Sequence, residues 1–358
     1  MNRERVRDGE SVLSEPEGGG ALDVDHLSVQ YGSGPSAIVA VNDVSITIGF
    51  GEKRGLVGES GSGKTTLARA IPGLVGRGGS VSAGRVMVAG QNLAAMSERA
   101  RARVRRHAVS VVFQDPLNCL DPVRSIYSQV AEAVRLRRPA ASSFGRKQMR
   151  AAVQALLEEA EISNAGTVMQ QYPHELSGGM RQRVAIGMAV AGETRLIIAD
   201  EPTTALDVVT QAEILTLLDR VVTDRRSSLL FITHNLAVVN EFCDTISVMY
   251  GGRVVEEGLC RDVVSGPKHP YTEGLIAAIP RISGGRQRLT GIPGEPPNLG
   301  DREIGCRFEP RCPLGHGVDV CRTSVPTLEE VPGLADRRRV RCHLVTRPSG
   351  DEVAHGDT

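Results

Sequence analysis

Gly58-Glu-Ser-Gly-Ser-Gly-Lys-Thr65, followed by Thr66, carries the spacing G-x-x-x-x-G-K-[ST]. A polyphosphate needs several backbone N–H groups aimed inward at once. Gly58, Gly61 and Gly63 let the chain curl that tightly with no Cβ against the oxygens. Lys64 is then placed to reach β- and γ-phosphates and Thr65 to ligate Mg²⁺. The spacing means most between a strand and a helix. Gly55-Leu-Val57 reads as the end of a buried strand. Leu67-Ala-Arg-Ala-Ile71 reads as a helix whose positive N-terminal end faces the phosphates.

Three more apolar runs end in reactive side chains. Leu196-Ile-Ile-Ala-Asp200-Glu201 reads as a parallel strand buried on both faces. Asp200 can hold Mg²⁺ through water, and Glu201 can polarise an attacking water as general base. Val109-Ser-Val-Val-Phe113 stops at Gln114-Asp-Pro-Leu-Asn118, and Leu229-Leu-Phe-Ile-Thr233 stops at His234, placed to touch a γ-phosphate. Ligands of open α/β sheets sit at the carboxyl ends of such strands. A second anion site follows from His174-Glu-Leu-Ser-Gly-Gly-Met-Arg-Gln-Arg183. There Ser177 is a good N-cap, and Gly178 and Gly179 leave N–H groups bare at a helix start, on a different surface from the first site.

The elements that must position these groups are legible as patterns. Leu22–Tyr31 alternates like a strand, Ile38–Ile48 reads as its hairpin partner, and Gly84–Gly90 as a further strand. Arg101–His107 is a basic, helix-like run, best read as a solvated face. Residues 126–167 read as mostly helical, an insertion between the two halves of the site. Ile246–Tyr250 and Gly251–Gly258 read as a terminal hairpin, and Tyr271–Ile279 as a helix between Pro270 and Pro280. The expected division is a flexible tail over 1–20, an ATPase domain over 21–265 with its helical part at about 120–190, an extension over 266–346, and a flexible tail over 347–358. There is one phosphate loop and no internal repeat.

The chain has 358 residues with 42 basic and 42 acidic side chains, so its overall charge exerts no pull toward nucleic acid or an anionic membrane. Its longest apolar run, near Val184–Gly192, is far short of the roughly 18–20 residues of a membrane span. Met1-Asn-Arg-Glu-Arg5 begins no signal peptide. A cytoplasmic protein is expected, with any membrane role exerted through a partner.

With these residues laid out, the chain resembles the ATP-binding subunits of ABC transporters, from about Leu22 to Pro297 and beyond. The resemblance rests on the Walker A loop Gly58–Thr65, the Q-loop Gln114, the signature Leu176-Ser-Gly-Gly-Met180, the Walker B end Asp200 with Glu201, the D-loop Ala205-Leu-Asp207 and the switch His234. It implies an α/β fold: a RecA-like P-loop core, an antiparallel β subdomain, a helical subdomain, and here a small cysteine-containing C-terminal extension. It assigns Tyr31 to stacking on adenine, and Gly58, Ser60, Gly61, Gly63, Lys64, Thr65, Thr66 and Asp200 to ATP. Thr65, Gln114 and Asp200 go to Mg²⁺, and Glu201, His234 and Gln114 to catalysis. Ser177, Gly178, Gly179 and Asp207 go to the ATP held by a partner subunit.

Phe113-Gln-Asp-Pro116, Lys268-His-Pro-Tyr271, Gly305-Cys-Arg-Phe-Glu-Pro-Arg-Cys-Pro313 and Met180 of the signature are similar to the oligopeptide/dipeptide import branch, which also contains nickel importers. The pattern most resembles the D-type subunit. That implies hydrolysis powering peptide import, a head-to-tail dimer with an F-type ATPase, two transmembrane permeases, an extracytoplasmic substrate-binding protein, and a peripheral place on the cytoplasmic face of the membrane. A nickel or other small-solute importer is the alternative within the family. A non-transport ATPase acting on DNA or ribosomes is the alternative outside it, disfavoured by the single ATPase domain and neutral charge.

Cys119, Cys243 and Cys260 are scattered. Cys306, Cys312, Cys321 and Cys342 lie late, with five, eight and twenty residues between them in a segment rich in proline and glycine. A metal or crosslink would organise such a segment. Four thiolates suit zinc or a [4Fe-4S] cluster, and the lack of a C-x₂-C knuckle weakens zinc. His316 and His343 are nearby substitutes, and unligated or redox-paired thiols remain open. The resemblance favours a [4Fe-4S] cluster of structural rather than catalytic role. A redox sensor gating uptake is a further reading compatible with transport.

Overall fold

A computed structural model of the chain describes residues 20–93, 95–114, 119–204, 206–279, 291–301, 303–334 and 338–346. The expected tails at 1–19 and 347–358, Asp115 and Pro116 of the Q-loop stretch, Ala205 of the D-loop and Pro280 lie outside the described residues. In chain order the strands are β1 (Leu22–Tyr31), β2 (Ile38–Ile48), β3 (Lys53–Val57), β4 (Gly79–Val88), β5 (Gln91–Asn92) and β6 (Val109–Val112). They continue with β7 (Leu196–Asp200), β8 (Ser228–Thr233), β9 (Thr245–Tyr250), β10 (Arg253–Leu259), β11 (Glu329–Glu330) and β12 (Arg339–Val340). The helices are α1 (Lys64–Ala70), α2 (Glu98–His107), α3 (Ile126–Arg137), α4 (Arg146–Glu159), α5 (Ala165–Val168) and α6 (Gly178–Ala189). After them come α7 (Val208–Asp224), α8 (Leu236–Phe242), α9 (Cys260–Ser265), α10 (Pro270–Ala277), α11 (Asp319–Thr323) and α12 (His343–Thr346).

The main sheet has the order β11-β12-β10-β9-β3-β8-β7-β6. β9, β3, β8, β7 and β6 run parallel, whereas β10, β12 and β11 close one side antiparallel. Successive residues of a strand face opposite sides, so each buried strand feeds two cores. Ile197, Ala199, Leu229 and Phe231 face the helical block built from α3, α4 and α6, and α7. Leu196, Ile198, Leu230 and Ile232 face α1 and the second sheet. This two-sided burial is why β7 and β8 read as unbroken apolar runs.

The second sheet, β2-β1-β4-β5, is antiparallel. Leu22, Val24, Leu27 and Val29 bury one face of β1, and Leu22↔Ile48 and Tyr31↔Ile38 set its register with β2. β4 is longer than the Gly84–Gly90 run suggests, because its pairing with β1 extends to Gly79 opposite Tyr31. Gly84, at φ +86°, lies where the register shifts. It marks an irregularity inside the strand, not its start.

β12 adds the late chain to the sheet by pairing with β10, Glu256 opposite Val340. Around it the segment from 291 onward has little regular structure. It is tied down by Arg253 on Glu303 (2.8 Å), Arg307 on the Gly251 carbonyl (2.8 Å), and Arg341 on the carbonyls of Val254 and Pro326. Tyr250, Tyr271 and Phe308 pack ring to ring beneath it, with centroids 4.5–5.5 Å apart. No described helix is long and apolar enough to cross a membrane.

Candidate active site

β3 ends at Val57 and α1 begins at Lys64, so the intervening loop must reverse within six residues. It does so because two glycines stand where no other residue fits. A Cβ on Gly58 would meet the Met249 carbonyl oxygen at 2.1 Å, and one on Gly63, at φ +104°, the Ala40 carbonyl oxygen at 2.3 Å. The loop curls around Lys64, whose Nζ donates to the carbonyls of Gly58 and Glu59, both at 2.8 Å, and to Ser62 Oγ at 3.3 Å. Burial pushes the Lys64 pKa down against the pull of Glu201, Asp200 and Glu59. An ammonium parked on its own loop's carbonyls is one that phosphate oxygens can take over.

Thr65 Oγ1 donates to Asp200 Oδ1 at 3.3 Å. Burial raises the Asp200 pKa, and the neighbouring Glu201 adds to this. A hydroxyl beside a buried carboxylate, with Gln114 near, is an all-oxygen donor set of the kind Mg²⁺ takes, and Mg²⁺ would remove the cost of that buried charge. Tyr31 Oη lies 3.5 Å from Thr66 Oγ1, at the outer end of the phosphate loop.

One oxygen organises the reactive end. Glu201 Oε2 accepts from Gln114 Nε2 at 3.2 Å and Thr204 Oγ1 at 2.8 Å, and lies 3.4 Å from His234 Nδ1. Glu201 itself sits at φ +48°, a left-handed backbone that costs a residue with a side chain of order 1–3 kcal/mol. Its N–H donates to the Ile232 carbonyl at 2.9 Å, which holds that conformation. Gln114, Asp200 with Glu201, His234 and the Lys64–Thr65 pair are therefore brought to one edge, past the ends of β6, β7, β8 and β3. Thr204 was not singled out by the sequence. Its only signal was its place three residues past Glu201.

The signature lies elsewhere. Ser177 caps α6 by accepting from the Met180 N–H at 3.2 Å, and a Cβ on Gly179 would meet Thr210 Cγ2 at 2.6 Å. Asp207 caps α7 by accepting from the N–H groups of Val209 (3.1 Å) and Thr210 (3.0 Å), which lowers its pKa. Among the described residues, no hydrogen bond or ion pair joins Ser177, Gly178, Gly179 or Asp207 to the phosphate loop. Val208 and Val209 beside Asp207 are 81% and 70% exposed.

The four late cysteines gather in one neighbourhood. Cys312, Cys321 and Cys342 are buried, and Cys306 is half-buried. A Cβ on Gly315 would stand 3.2 Å from Cys321 Sγ and 3.4 Å from Cys312 Sγ, and the Gly315 N–H donates to Cys312 Sγ at 3.1 Å. The Cys306 N–H donates to the Cys321 carbonyl at 2.8 Å. Burial pushes the Cys306 thiol up to about 12, and the other three cysteines add to that. The four do not form a ready metal site, however. Among the described residues no group of three or more His, Cys, Asp or Glu is arranged to hold a metal ion. As placed, the four sulfurs are not preformed as a metal-ligating quartet. His316 and His343 face other partners, Glu309 at 3.6 Å and the Ser324 carbonyl at 2.9 Å.

A phosphate loop, a hydroxyl–carboxylate pair and a positioned glutamate on the carboxyl edge of a parallel sheet, with an antiparallel sheet and a helical block beside it, define a P-loop ATPase of the ABC type. The ABC transporter family model matches residues 41–204, and that of the oligopeptide/dipeptide transporter C-terminal region matches 255–321. The dipeptide transport ATP-binding protein DppD of Escherichia coli K12 is 41% identical over 329 residues, covering 92% of this chain and 98% of that protein. The oligopeptide transport ATP-binding protein OppD of the same organism is 38% identical, covering 90% and 93%. Among solved structures, the ATP-binding cassette MJ0796, a dimer in a post-hydrolysis state with ADP and Pi, superposes with a TM-score of 0.60 at 27% identity. It covers 67% of this chain and 99% of its own. CbiO1 of Clostridium perfringens gives 0.59 at 27%, covering 69% and 91%. The chain belongs to the ATP-binding proteins of ABC transporters, in the oligopeptide/dipeptide branch, and is an ATP-hydrolysing subunit of that class.

Proposed function

We propose that this chain hydrolyses ATP to power import of dipeptides or oligopeptides, and that Glu201 is its general base. The observation that carries the reading is the set of groups on Glu201 Oε2, beside Lys64, Thr65 and Asp200. Lys64 exchanges its loop carbonyls for β/γ-phosphate oxygens. Thr65, Asp200 and Gln114 would hold Mg²⁺, which neutralises phosphate charge when bound. Glu201 orients a water and takes its proton at Oε2, while His234 reaches the γ-phosphate. Tyr31 stacks on the base.

The signature's separation from the phosphate loop supports a head-to-tail dimer, in which Ser177, Gly178, Gly179 and Asp207 meet ATP held by an F-type partner. The exposed Val208 and Val209 beside Asp207 are apolar surface for that partner. MJ0796 is described as a dimer; DppD and OppD are described as dipeptide and oligopeptide transport proteins. Two permeases in the membrane and an extracytoplasmic binding protein complete the assembly, with this chain peripheral on the cytoplasmic face. Residues 21–265 serve as the ATPase domain, with its helical part at about 120–190, and 266–346 as the extension.

For Cys306, Cys312, Cys321 and Cys342 we infer a structural [4Fe-4S] cluster rather than zinc, a reading that rests on the resemblance of the extension and on the gathering of the four thiols. The lack of a C-x₂-C knuckle weakens zinc.

In vesicles carrying the permeases and partner ATPase, ATP should drive uptake of labelled peptides. Uptake of another solute with none of peptides would overturn the substrate. Anaerobically purified protein should absorb in the visible and contain iron and sulfide, and a colourless, iron-free preparation would remove the cluster.

A further inference from the structure

Glu59 places a carboxylate in a loop built to receive a triphosphate, and its own charge repels the ligand. The structure shows how it is held. Its N–H donates to Tyr271 Oη at 2.8 Å, its carbonyl accepts from Lys64 Nζ at 2.8 Å, and both carboxylate oxygens accept from Arg311, at 2.8 and 3.1 Å. Arg311 lies 252 residues further along, between Cys306 and Cys312. Its guanidinium is 5% exposed and fully committed. Nε donates to the Pro293 carbonyl at 2.8 Å, Nη2 to the Ile292 carbonyl at 3.3 Å and Nη1 to Tyr250 Oη at 3.3 Å. The plane stands 5.8 Å from the Tyr250 ring. Nothing in the arrangement leaves Arg311 free to swing away.

We propose that Arg311 is a positioning residue for ATP binding: it holds the Glu59 carboxylate off Lys64 and neutralises it, so that the extension sets the ATP affinity of the phosphate loop. Two consequences of the geometry carry this. Lys64 already contacts the Glu59 backbone, so a carboxylate released from Arg311 would join Asp200 and Glu201 in competing with phosphate for that ammonium. A bidentate guanidinium is also the group that fixes a carboxylate in direction as well as in charge. The Cys306–Cys312 loop that carries Arg311 thereby has a mechanical connection to the ATP site, independent of whatever the cysteines hold. The proposal rests on the reading of Gly58–Thr65 as the ATP phosphate site.

The test is a cycle of full-length variants, with Kd for a fluorescent ATP analogue, KM for ATP and kcat measured on each. Arg311→Gln should weaken ATP binding roughly tenfold, with KM following and kcat at saturating ATP held within about twofold, the signature of lost uniform binding. Adding Glu59→Gln should restore most of the affinity, because the stray carboxylate is then gone. A merely structural contact predicts no such rescue: the double variant would be as weak as Arg311→Gln or weaker. Arg311→Lys, which keeps charge and loses the bidentate geometry, should fall roughly threefold and be rescued in the same way, and carries the test should Arg311→Gln not fold. Wild-type affinity in both Arg311 variants, or absence of rescue by Glu59→Gln, overturns the proposal. Failure of the wild-type protein itself to bind the analogue overturns the ATP reading instead.

Discussion

The phosphate-loop edge and the cysteine-bearing extension meet at Glu59, which takes an ion pair from Arg311 and gives a hydrogen bond to Tyr271, yet they are assembled by opposite means. At the edge, Gln114, Glu201 and His234 stand one or two residues past parallel strands, Lys64 and Thr65 open the helix that follows β3, and β3, β7 and β8 are held on both sides by ladder hydrogen bonds. The extension has two-residue strands and short helices, and its place is set by arginines whose partners lie 50, 82 and 252 residues away in sequence: Arg253 on Glu303, Arg339 on Glu257 and Arg311 on Glu59. Chemistry at the edge is written in short windows of chain. Chemistry in the extension depends on pairings that no short window contains. The edge should therefore fail one function at a time when a side chain is changed, and the extension should fail as a unit.

The largest effect expected at the edge is from Glu201→Gln. It should lower steady-state hydrolysis by about 10²–10⁴-fold while ATP still binds, measured by phosphate release and nucleotide titration. The amide keeps the contacts to Thr204 and Gln114 but cannot take a proton. Unchanged turnover would remove Glu201 as the base and leave the edge with no group in that role. Next in size is Gly63→Ala. Its Cβ would sit 2.3 Å from the Ala40 carbonyl oxygen, in a left-handed backbone. The loop should lose nucleotide affinity and the protein roughly 1–3 kcal/mol of stability, read from denaturant midpoints. A neutral result would mean that the loop is not held as tightly as the packing around Gly58 and Gly63 implies.

How far each region was legible follows from the same contrast. The strand–loop–helix at Gly58–Thr65, the carboxylates after β7, Gln114, His234 and the Ser177 cap were all readable, because the residue type and the local element point the same way. Thr204 was missed since nothing about a threonine in a turn announces a carboxylate partner. Tyr271 is legible as the start of a helix and as part of a family stretch, but its hydrogen bond to the Glu59 N–H arises from ring packing with Tyr250 and Phe308. Arg311 carries no signal of its own in the sequence, where it is one letter between two cysteines. Cys243 and Cys260 looked scattered, yet they are buried close enough for one thiol to raise the pKa of the other. Cys342, with twenty residues between it and Cys321, reaches the other late cysteines because β12 pairs with β10 just before it.

A substitution at Gly315 sharpens the extension's side of the contrast. Gly315→Val would fill the space between Cys312 Sγ and Cys321 Sγ. If a cluster occupies that space, iron per chain should fall by more than half and the visible absorption with it. Iron unchanged in this variant would place any bound iron elsewhere.

The smallest effect expected is a pH dependence, and it lies where the extension meets the sheet. His269 caps α10 by accepting from the Tyr271 N–H at Nδ1, 3.0 Å away, so the cap works only while that nitrogen is unprotonated. Its own N–H donates to Glu256 Oε2 at 2.9 Å. Complete burial pushes the imidazole down to about 3, from an ordinary value of 6.5. Below pH 6.5 the unfolded chain takes up a proton that the folded chain refuses. Stability present above that pH is therefore lost as the pH falls from 6.5 toward 3, by up to about 1.4 kcal/mol per unit. Between pH 7 and pH 5 the wild-type protein should lose about 2 kcal/mol from this group, seen as a drop in Tm. His269→Asn keeps a capping oxygen and has nothing to titrate. Its Tm should be lower at pH 7 but fall less on acidification. Parallel Tm curves for the two proteins would mean that His269 is not held neutral, and that the junction between β10 and α10 is wetter than its packing shows.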